Sequence, residues 1–574
     1  MRTFVRIASA ALLLCAVIAI SASAGPGYDR SPFGVNFLKW EFLKNDPNCW
    51  DEFGRRIAIM KNAGIYWDRD WLDKNTINPA PGKWKWEFTD KLFALCRKEK
   101  VSLIVILMGG KPPRDDAGRA EFAEFARRVV SRYKDSIKIW EIWNEPNIPS
   151  FWDNPDPALY TKLLIECYKA AKKADPNCTV LAGVTSGPGN DWFNGIYDSG
   201  GWNYFDGLSI HPYAMSANPV TQNLDLILRV TNKLAASHGK PKPVWITEVG
   251  WRAKRDPADE ERQAVSLFQT YVISLANGIR NTAQFCMDNY DDWGMIRSSN
   301  PFEPKPSFGA IKLLTHALGS PGPAAAFEGY LKMPPNVACY VFRKAGRERV
   351  LILWNNDGAA RTVRLDRTGG LKCVDILGKP VAVASGKLAL THLPVIVTGA
   401  DSRRIGKVDR SYNPFVKKKG ESIAVNGGLE RNGASEPLCW GKGKFNSGEP
   451  TGNLSVSSEG RNASDCLSIS NSAGNGAWSA DIIPIEPGRK YRVSAWIKTK
   501  DATSESFAAI YWYSGNQWTW LGEVRTKSVS GTNDWTQVSG AGIAPRNAGF
   551  LRIHLISDNN TGTALFDDVA VCEE

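Results

Sequence analysis

Between Phe33 and about residue 320, two kinds of apolar pattern alternate along the chain. Short runs rich in β-branched and aromatic residues are followed by stretches whose apolar positions return every three to four residues. The runs predict strands at 33–37, 65–70, 101–107, 137–143, 179–184, 205–210, 243–247 and 282–287. The stretches predict helices, among them 50–63, 117–134, 157–174, 222–238, 257–277 and one near 306–318. Eight strand–helix units in about 290 residues match an eightfold parallel barrel better than an open sheet. The fold class is therefore α/β, a (β/α)8 TIM barrel over residues 31–320. Such a barrel presents its chemistry at the C-terminal ends of the strands.

After Pro321 the pattern changes to short alternating runs separated by turn residues. Residues 321–402 predict a small antiparallel β-sandwich domain packed on the barrel. Residues 403–421 are basic, with Pro414 and Gly420, and predict a linker, with a structured loop between two β-domains as the alternative. Residues 422–574 are again all β, with turns rich in Gly, Asn and Ser. They predict a C-terminal β-sandwich.

The first 24 residues have the make-up of a signal peptide. Arg2 and Arg6 precede an apolar run at 8–20, and small residues at 21–24 lead to a cleavage point near Ala24. The run is short for a membrane span. The expectation is export, to the cell exterior, cell surface or periplasm. Export permits disulfides. Cys339/Cys373 and the set Cys439/Cys466/Cys572 are the bridge candidates, whereas Cys96 and Cys167 lie in helical patterns as buried thiols.

Composition narrows the function class. Hydrophobic residues make up 43% and charged residues 23%, a balance that excludes a wholly disordered chain and a polytopic membrane protein. The net charge of +12 is scattered, and Lys417 to Lys419 is the longest basic run. With no recognition motif behind it, that charge does not point to nucleic acid. Twenty-two Trp residues are more than a core of this size needs, and flat amphipathic rings suit sugars.

Two carboxylates stand at chemically favoured places. Glu145 closes the fourth predicted strand, in IWEIWNEPN, and Glu248 closes the seventh, in VWITEVGW. Strands four and seven face each other across a barrel mouth, so both side chains reach one ligand. A pair of carboxyls about 5–5.5 Å apart supplies the nucleophile and the acid/base of a retaining glycosidase. Either Glu alone would read as a strand-end ion pair. Gly-rich phosphate loops, His-Glu-x-x-His, Cys-x-x-Cys and Gly-x-Ser-x-Gly are all missing from the sequence. With five His in the chain, no metal is expected in the active site, and catalysis needs no cofactor.

The segments WNEPN (143–147) and WITEVGW (245–251) resemble clan A glycoside hydrolases, most closely family 39, with family 5 also open. GIYWDRDW (64–71), NPAPGKWKWEFTD (78–90) and DGLSIHPY (206–213) extend the resemblance along the barrel. The resemblance implies a role for each matching residue. Glu145 is the general acid/base and must hold a proton when it donates. Glu248 is the nucleophile and must be ionised. Asn144 bonds the 2-hydroxyl of the sugar in the −1 position. Arg69 lies by Glu248 and favours its carboxylate. His211 stands near the acid/base and Tyr213 near the nucleophile. Trp293 floors the −1 subsite, and Trp71 and Trp152 form further subsites. Glu141 shares the side-chain parity of Glu145 and points into the barrel.

Residues 422–574 resemble the jelly-roll carbohydrate-binding modules of families 4 and 9, through VNGGLE (425–430), EPGRKYRVSAWIKT (486–499), NDWTQVSG (533–540) and ALFDDVAV (564–571). Tyr511, Trp512, Tyr513, Trp518 and Trp520 are candidates for a binding platform, with about half of them turned inward by strand alternation. Such modules often hold a structural calcium ion, for which Glu430 and Asp567 are the candidate ligands. The whole then reads as a secreted retaining β-glycosidase that degrades a polysaccharide, endo-acting by preference. An exo-acting β-xylosidase or other β-glycosidase, and a catalytically silent carbohydrate-binding surface protein, are the alternatives. The partner is a polysaccharide or oligosaccharide, with no nucleic acid and no stable membrane span.

Overall fold

The computed structural model describes residues 30–574 apart from 214–217, 289, 346–347, 359, 366–369, 400–405, 432–435, 438, 444–451, 475 and 516–518. The expected leader 1–24, the first residues of the expected linker (403–405) and Trp518 lie outside the described residues.

Strands β1 (Phe33–Asn36), β2 (Trp67–Asp73), β3 (Ser102–Met108), β4 (Ile139–Ile142), β5 (Thr179–Ser186), β6 (Gly207–His211), β7 (Val244–Val249) and β8 (Thr282–Phe285) form a closed parallel barrel. Strand β8 pairs back onto β1, with Phe33 opposite Thr282. The helices are α1 (Trp40–Leu43), α2 (Cys49–Asn62), α3 (Lys74–Ile77), α4 (Glu87–Lys98), α5 (Asp116–Tyr133), α6 (Pro157–Ala174), α7 (Asn190–Asp198), α8 (Leu224–Ala235), α9 (Pro257–Ala276) and α10 (Pro306–Leu318). Their starts follow from local chemistry. The Asp156 carboxylate accepts from the Ala158 and Leu159 N–H groups ahead of α6, and Asp256 does the same for Ala258 and Asp259 ahead of α9. Pro157 and Pro257 follow these caps, where a missing N–H costs nothing.

The barrel interior has two layers. Trp67, Ile104, Ile139, Leu181 and Trp245 make an apolar floor. Two residues further along their strands, and so on the same face, stand Arg69, Glu141 and Thr247. With Asn36 and Ser209 they form a buried polar layer. A floor that is dry and a layer above that is hydrogen-bonded put the charged groups at the C-terminal mouth.

Beyond the barrel lies an antiparallel sheet in the order Leu371–Asp375, Val395–Gly399, Arg349–Asn355, Val337–Arg343, Ala326–Leu331, Val408–Asp409. One face covers a three-stranded sheet across Val341, Leu353, Val363, Leu388 and Val397. The other face, with Tyr340, Trp354 and Ile396, is continuous with the barrel core. The expected linker is instead a packed connection. Val408–Asp409 pairs with Tyr330 and Leu331, Tyr412 and Phe415 join the apolar core, and Asn413 donates to the Asp225 carboxylate.

The C-terminal strands wrap into a near-barrel. Its spine is the long strand Lys490–Ser514, which pairs with Ala548–Ser557, Asn560–Glu573, Val529–Ile543 and Trp520–Arg525. Trp478, Val493, Ile510, Trp512 and Phe566 fill it. This domain is seated on the barrel: Ile482 and Phe550 meet Ile227 of α8, and Glu486 pairs with Lys233 at 2.9 Å. Gly515 sits so tightly on the start of α7 that an added Cβ would fall 2.6 Å from Asp191 Oδ1.

No disulfide joins the described cysteines, contrary to the bridges expected from the sequence. Cys339 and Cys373 sit on strands with two others between them, and steps of about 4.8 Å per strand exceed disulfide reach. Leu467 pairs with Phe566, which leaves Cys466 well down the strand from Cys572. Cys439 precedes the strand at the other end of that sheet.

Candidate active site

The fourth strand ends in a strained turn. Trp143 and Glu145 take left-handed backbone angles, φ of 67° and 40°, on either side of Asn144. Side-chain-bearing residues avoid this region, and such strain persists only where the surroundings over-determine it. Here the Trp143 N–H donates to Leu107 O at 3.0 Å and the Glu145 N–H to Val184 O at 2.9 Å. Val184 offers its carbonyl because β5 bulges there, with a register shift between Gly183 and Thr185. Strand β7 is irregular too: its register against β8 shifts between Ile246 and Val249. Thr247 keeps the inward parity of Trp245, and the irregularity turns Glu248 into the mouth beside it.

The two turns bring the carboxylates together. Glu145, Glu248 and His211 each offer an atom within 4.8 Å of the others. His211, fully buried at the end of β6, places Nδ1 2.8 Å from Glu145 Oε1 and 3.8 Å from Glu248 Oε2. Tyr213 donates its hydroxyl to Glu248 Oε2 at 2.8 Å. Arg69 donates Nη1 to Glu248 Oε1, Nη2 to Asn144 Oδ1 at 2.8 Å and Nε to Glu141 Oε2 at 2.7 Å. Asn144 thus spends its carbonyl on Arg69 and leaves its amide to donate. Asn36 braces the network, accepting from Arg69 at 3.3 Å and donating to Thr247 O at 3.1 Å.

The electrostatics favour an ionised Glu248. Burial pushes the Glu248 carboxyl up, but the charges of His211 and Arg69 and the hydrogen bonds from Tyr213 and Arg69 outweigh it, so Glu248 titrates below its ordinary value. Burial and the Glu248 charge push the Tyr213 hydroxyl well above its ordinary value, which keeps it a neutral donor. Burial works against the Arg69 cation, and Glu141 and Glu248 more than restore it. The trio Glu145, His211 and Glu248 also has the spacing of a metal site. The Arg69 guanidinium already balances Glu248, which disfavours a second cation there.

Aromatic rings frame the mouth. Trp293 meets Tyr213 edge-on at 5.3 Å, and a Cβ added at Gly250 would fall 2.8 Å from its ring. Trp71 is one pleat beyond Arg69 on the same face of β2. It lies in a row with Phe42 (6.3 Å between centroids) and Phe151 (6.5 Å). Phe42 is 69% exposed. Trp152 does not belong to this set. It is fully buried between Trp143 and Tyr160 and has no face for a sugar, because the loop folds its ring under the mouth. Asn36 lies outside the resembling segments, and Ser209 and Thr247 lie inside two of them with no role attached to them there. Their signal is parity alone, two residues from Gly34, His211 and Trp245 on inward-facing positions.

The expected platform and calcium site in the C-terminal domain look different from their sequence reading. Trp512 points into the core and Tyr511 is buried, while Tyr513 packs towards Phe550 beside α8. Trp520 is 56% exposed. Asp567 accepts from the Arg461 and Asp568 N–H groups and the Ser464 hydroxyl, and Glu430 accepts from the Asp465 N–H. Arg431 and Arg461 add guanidinium groups on Asp465 and Asp568.

An eightfold barrel with facing carboxylates at the ends of its fourth and seventh strands is the arrangement of a glycosyl hydrolase catalytic core. Residues 64–286 match the family described as glycosyl hydrolase catalytic core. Over 85 residues the chain is 29% identical to a beta-xylosidase of Geobacillus stearothermophilus. That match covers 14% of this chain and 17% of the xylosidase, so the chain spans about a sixth of this curated relative. A family 39 glycoside hydrolase from the gut symbiont Bacteroides cellulosilyticus WH2 has a similar fold, with a TM-score of 0.55 and 22% identity. The likeness covers 65% of this chain and 82% of that one.

Proposed function

We propose that this chain is an exported retaining β-glycoside hydrolase that cuts a β-linked polysaccharide internally. The observation that carries the reading is the approach of Glu145 and Glu248 to within 4.8 Å across the barrel mouth. Carboxyls about 5–5.5 Å apart suit double displacement, whereas inversion needs about 6.5–9.5 Å to admit a water. Glu248, held ionised by Arg69 and Tyr213, attacks the anomeric carbon. Glu145 gives a proton to the leaving oxygen, then takes one from the water that cleaves the glycosyl ester. Asn144 holds the 2-hydroxyl, and no cofactor enters either step.

The row Phe151, Trp71 and Phe42 supports internal cutting. It leads from above Arg69 out to solvent and offers apolar faces to successive sugars. A C-terminal domain that binds polymer would add to this by raising the local substrate concentration. The similarity to a beta-xylosidase favours exo action as the second reading.

The test is reducing-end release from β-glucans, xylans, mannans and galactans. The chain without residues 1–24 is compared with its Glu248→Ala variant. Activity is expected in the first alone, with a loss of about 10⁴-fold or more in the second. Oligosaccharide products support internal cutting, and release of single sugars turns the reading to exo action. No turnover, with retardation in a polysaccharide gel, replaces the enzyme by a binding protein.

A further inference from the structure

A buried run of hydrogen bonds leads from Arg69 to Glu145. Arg69 Nε donates to Glu141 Oε2 at 2.7 Å. Ser209 Oγ lies 2.7 Å from Glu141 Oε1 and 2.6 Å from Thr247 Oγ1. Thr247 Oγ1 lies 3.0 Å from His211 Nε2, and His211 Nδ1 lies 2.8 Å from Glu145 Oε1. Glu141, Ser209, Thr247 and His211 are all at 0% exposure, so bulk water does not interrupt the sequence.

Counting protons gives the run a direction. A carboxylate paired with a guanidinium only accepts. Ser209 has one hydroxyl proton and gives it to Glu141. It therefore accepts from Thr247, whose one proton is then in use. Thr247 has only a lone pair left for His211, so Nε2 carries a hydrogen.

We propose that Ser209 and Thr247 are positioning residues that fix His211 with its hydrogen on Nε2, so that Nδ1 is the nitrogen that shares a proton with Glu145. If the Glu145–His211 pair lost that proton, a carboxylate oxygen and a bare Nδ1 would face each other across 2.8 Å. The contact is repulsive, and the imidazole cannot relieve it by moving its hydrogen while Thr247 holds Nε2. The pair therefore keeps its proton to higher pH. The inference rests on the reading of Glu145 as the acid. The retained proton passes to the leaving oxygen as the glycosidic C–O bond breaks and the Glu248 ester forms. Water returns it when the ester is cleaved. The charged and titratable groups around the pair are Glu248, Arg69, Tyr213 and Glu141, and all remain in the variants below.

Two measurements test this on the chain without residues 1–24. The first is nitrogen-15 NMR of labelled histidine, with His211 assigned among the five His by its loss in His211→Asn. The expected spectrum shows His211 with hydrogen on Nε2, and Thr247→Val admits the other tautomer. A native His211 with a bare Nε2 overturns the proposal, whether or not the protein is active. The second is the pH profile of kcat/KM on an aryl β-glycoside. Thr247→Val should move the alkaline limb down by about one pH unit, a tenfold change in proton affinity. Thr247→Ser should restore it, and Ser209→Ala should give a smaller shift in the same direction. A uniform loss of rate with the limb unmoved makes the relay merely structural and overturns the proposal. An inactive native protein with the expected spectrum refutes the hydrolase reading and leaves the tautomer assignment standing.

Discussion

Glu248 is held between burial, which favours the acid, and Arg69, Tyr213 and His211, which favour the carboxylate. The Tyr213 share can be isolated. A hydrogen bond to the charged form lowers a pKa, so Tyr213→Phe lets Glu248 take a proton at higher pH. The acid limb of the kcat/KM profile should move up, by about one pH unit for one strong bond to a charged group. Activity falls below the limb and is little changed above it. The same profile read on Thr247→Val moves at its other limb, so the two variants separate the proposed nucleophile from the proposed acid. Glu145 and Glu248 were legible as a pair because strand ends four and seven face each other in any such barrel. Ser209 and Thr247 were not, because a buried hydroxyl in a strand looks like any other inward position.

Strand irregularities do at the element scale what motifs do at the residue scale. The bulge in β5 lends Val184 O to the Glu145 N–H, and the shift in β7 swings Glu248 inward. Neither is visible in periodicity, since one extra residue leaves the apolar run intact. Strand β2 also pins the chain after β1. Asp68 Oδ1 accepts from the Phe37 and Leu38 N–H groups, and Asp70 Oδ2 accepts from Trp40 at the start of α1. Burial pushes Asp70 up from 3.8 to about 7, against the hydrogen bonds that lower it. The folded state thus binds this proton more tightly than the unfolded chain. Its contribution is fullest below about pH 4 and is lost as pH rises through 7. Asp70→Asn cannot ionise, so its melting temperature should lack that share of the decline between pH 4 and 7. It should be less stable than the parent at pH 4 by about 1–3 kcal/mol, because one backbone N–H loses its acceptor. Melting curves at stepped pH check both.

At the scale of the molecule, the barrel and the six-stranded sheet share one core, while the C-terminal domain has its own. Calorimetry should therefore resolve two transitions, with the barrel and sheet melting as one unit. Phe550 is 1% exposed and packs with Ile482 on Ile227 of α8. Phe550→Ala should lower the C-terminal transition by about 3–5 kcal/mol of stability. It should leave turnover of a small aryl glycoside unchanged, since the catalytic groups all lie within the barrel. The apolar seat and the Lys233–Glu486 pair fix this domain against α7 and α8. The connection at 406–415, with Asn413 on Asp225, ties it further.

The sequence by itself determined the barrel, the order of the β-domains behind it and the two carboxylates. Periodicity reports which face of each element is buried, and a strand's end is fixed by where its apolar run stops. Tertiary structure alone decided that Trp152 lies under the mouth, that Trp512 faces inward, that the cysteines do not meet and that the linker is packed. Each of these depends on what stands opposite a residue in space, which a one-dimensional pattern does not carry. The proton relay belongs with them: six side chains, from β2, β4 and the turn after it, β6 and β7, become one hydrogen-bonded line only when the barrel closes.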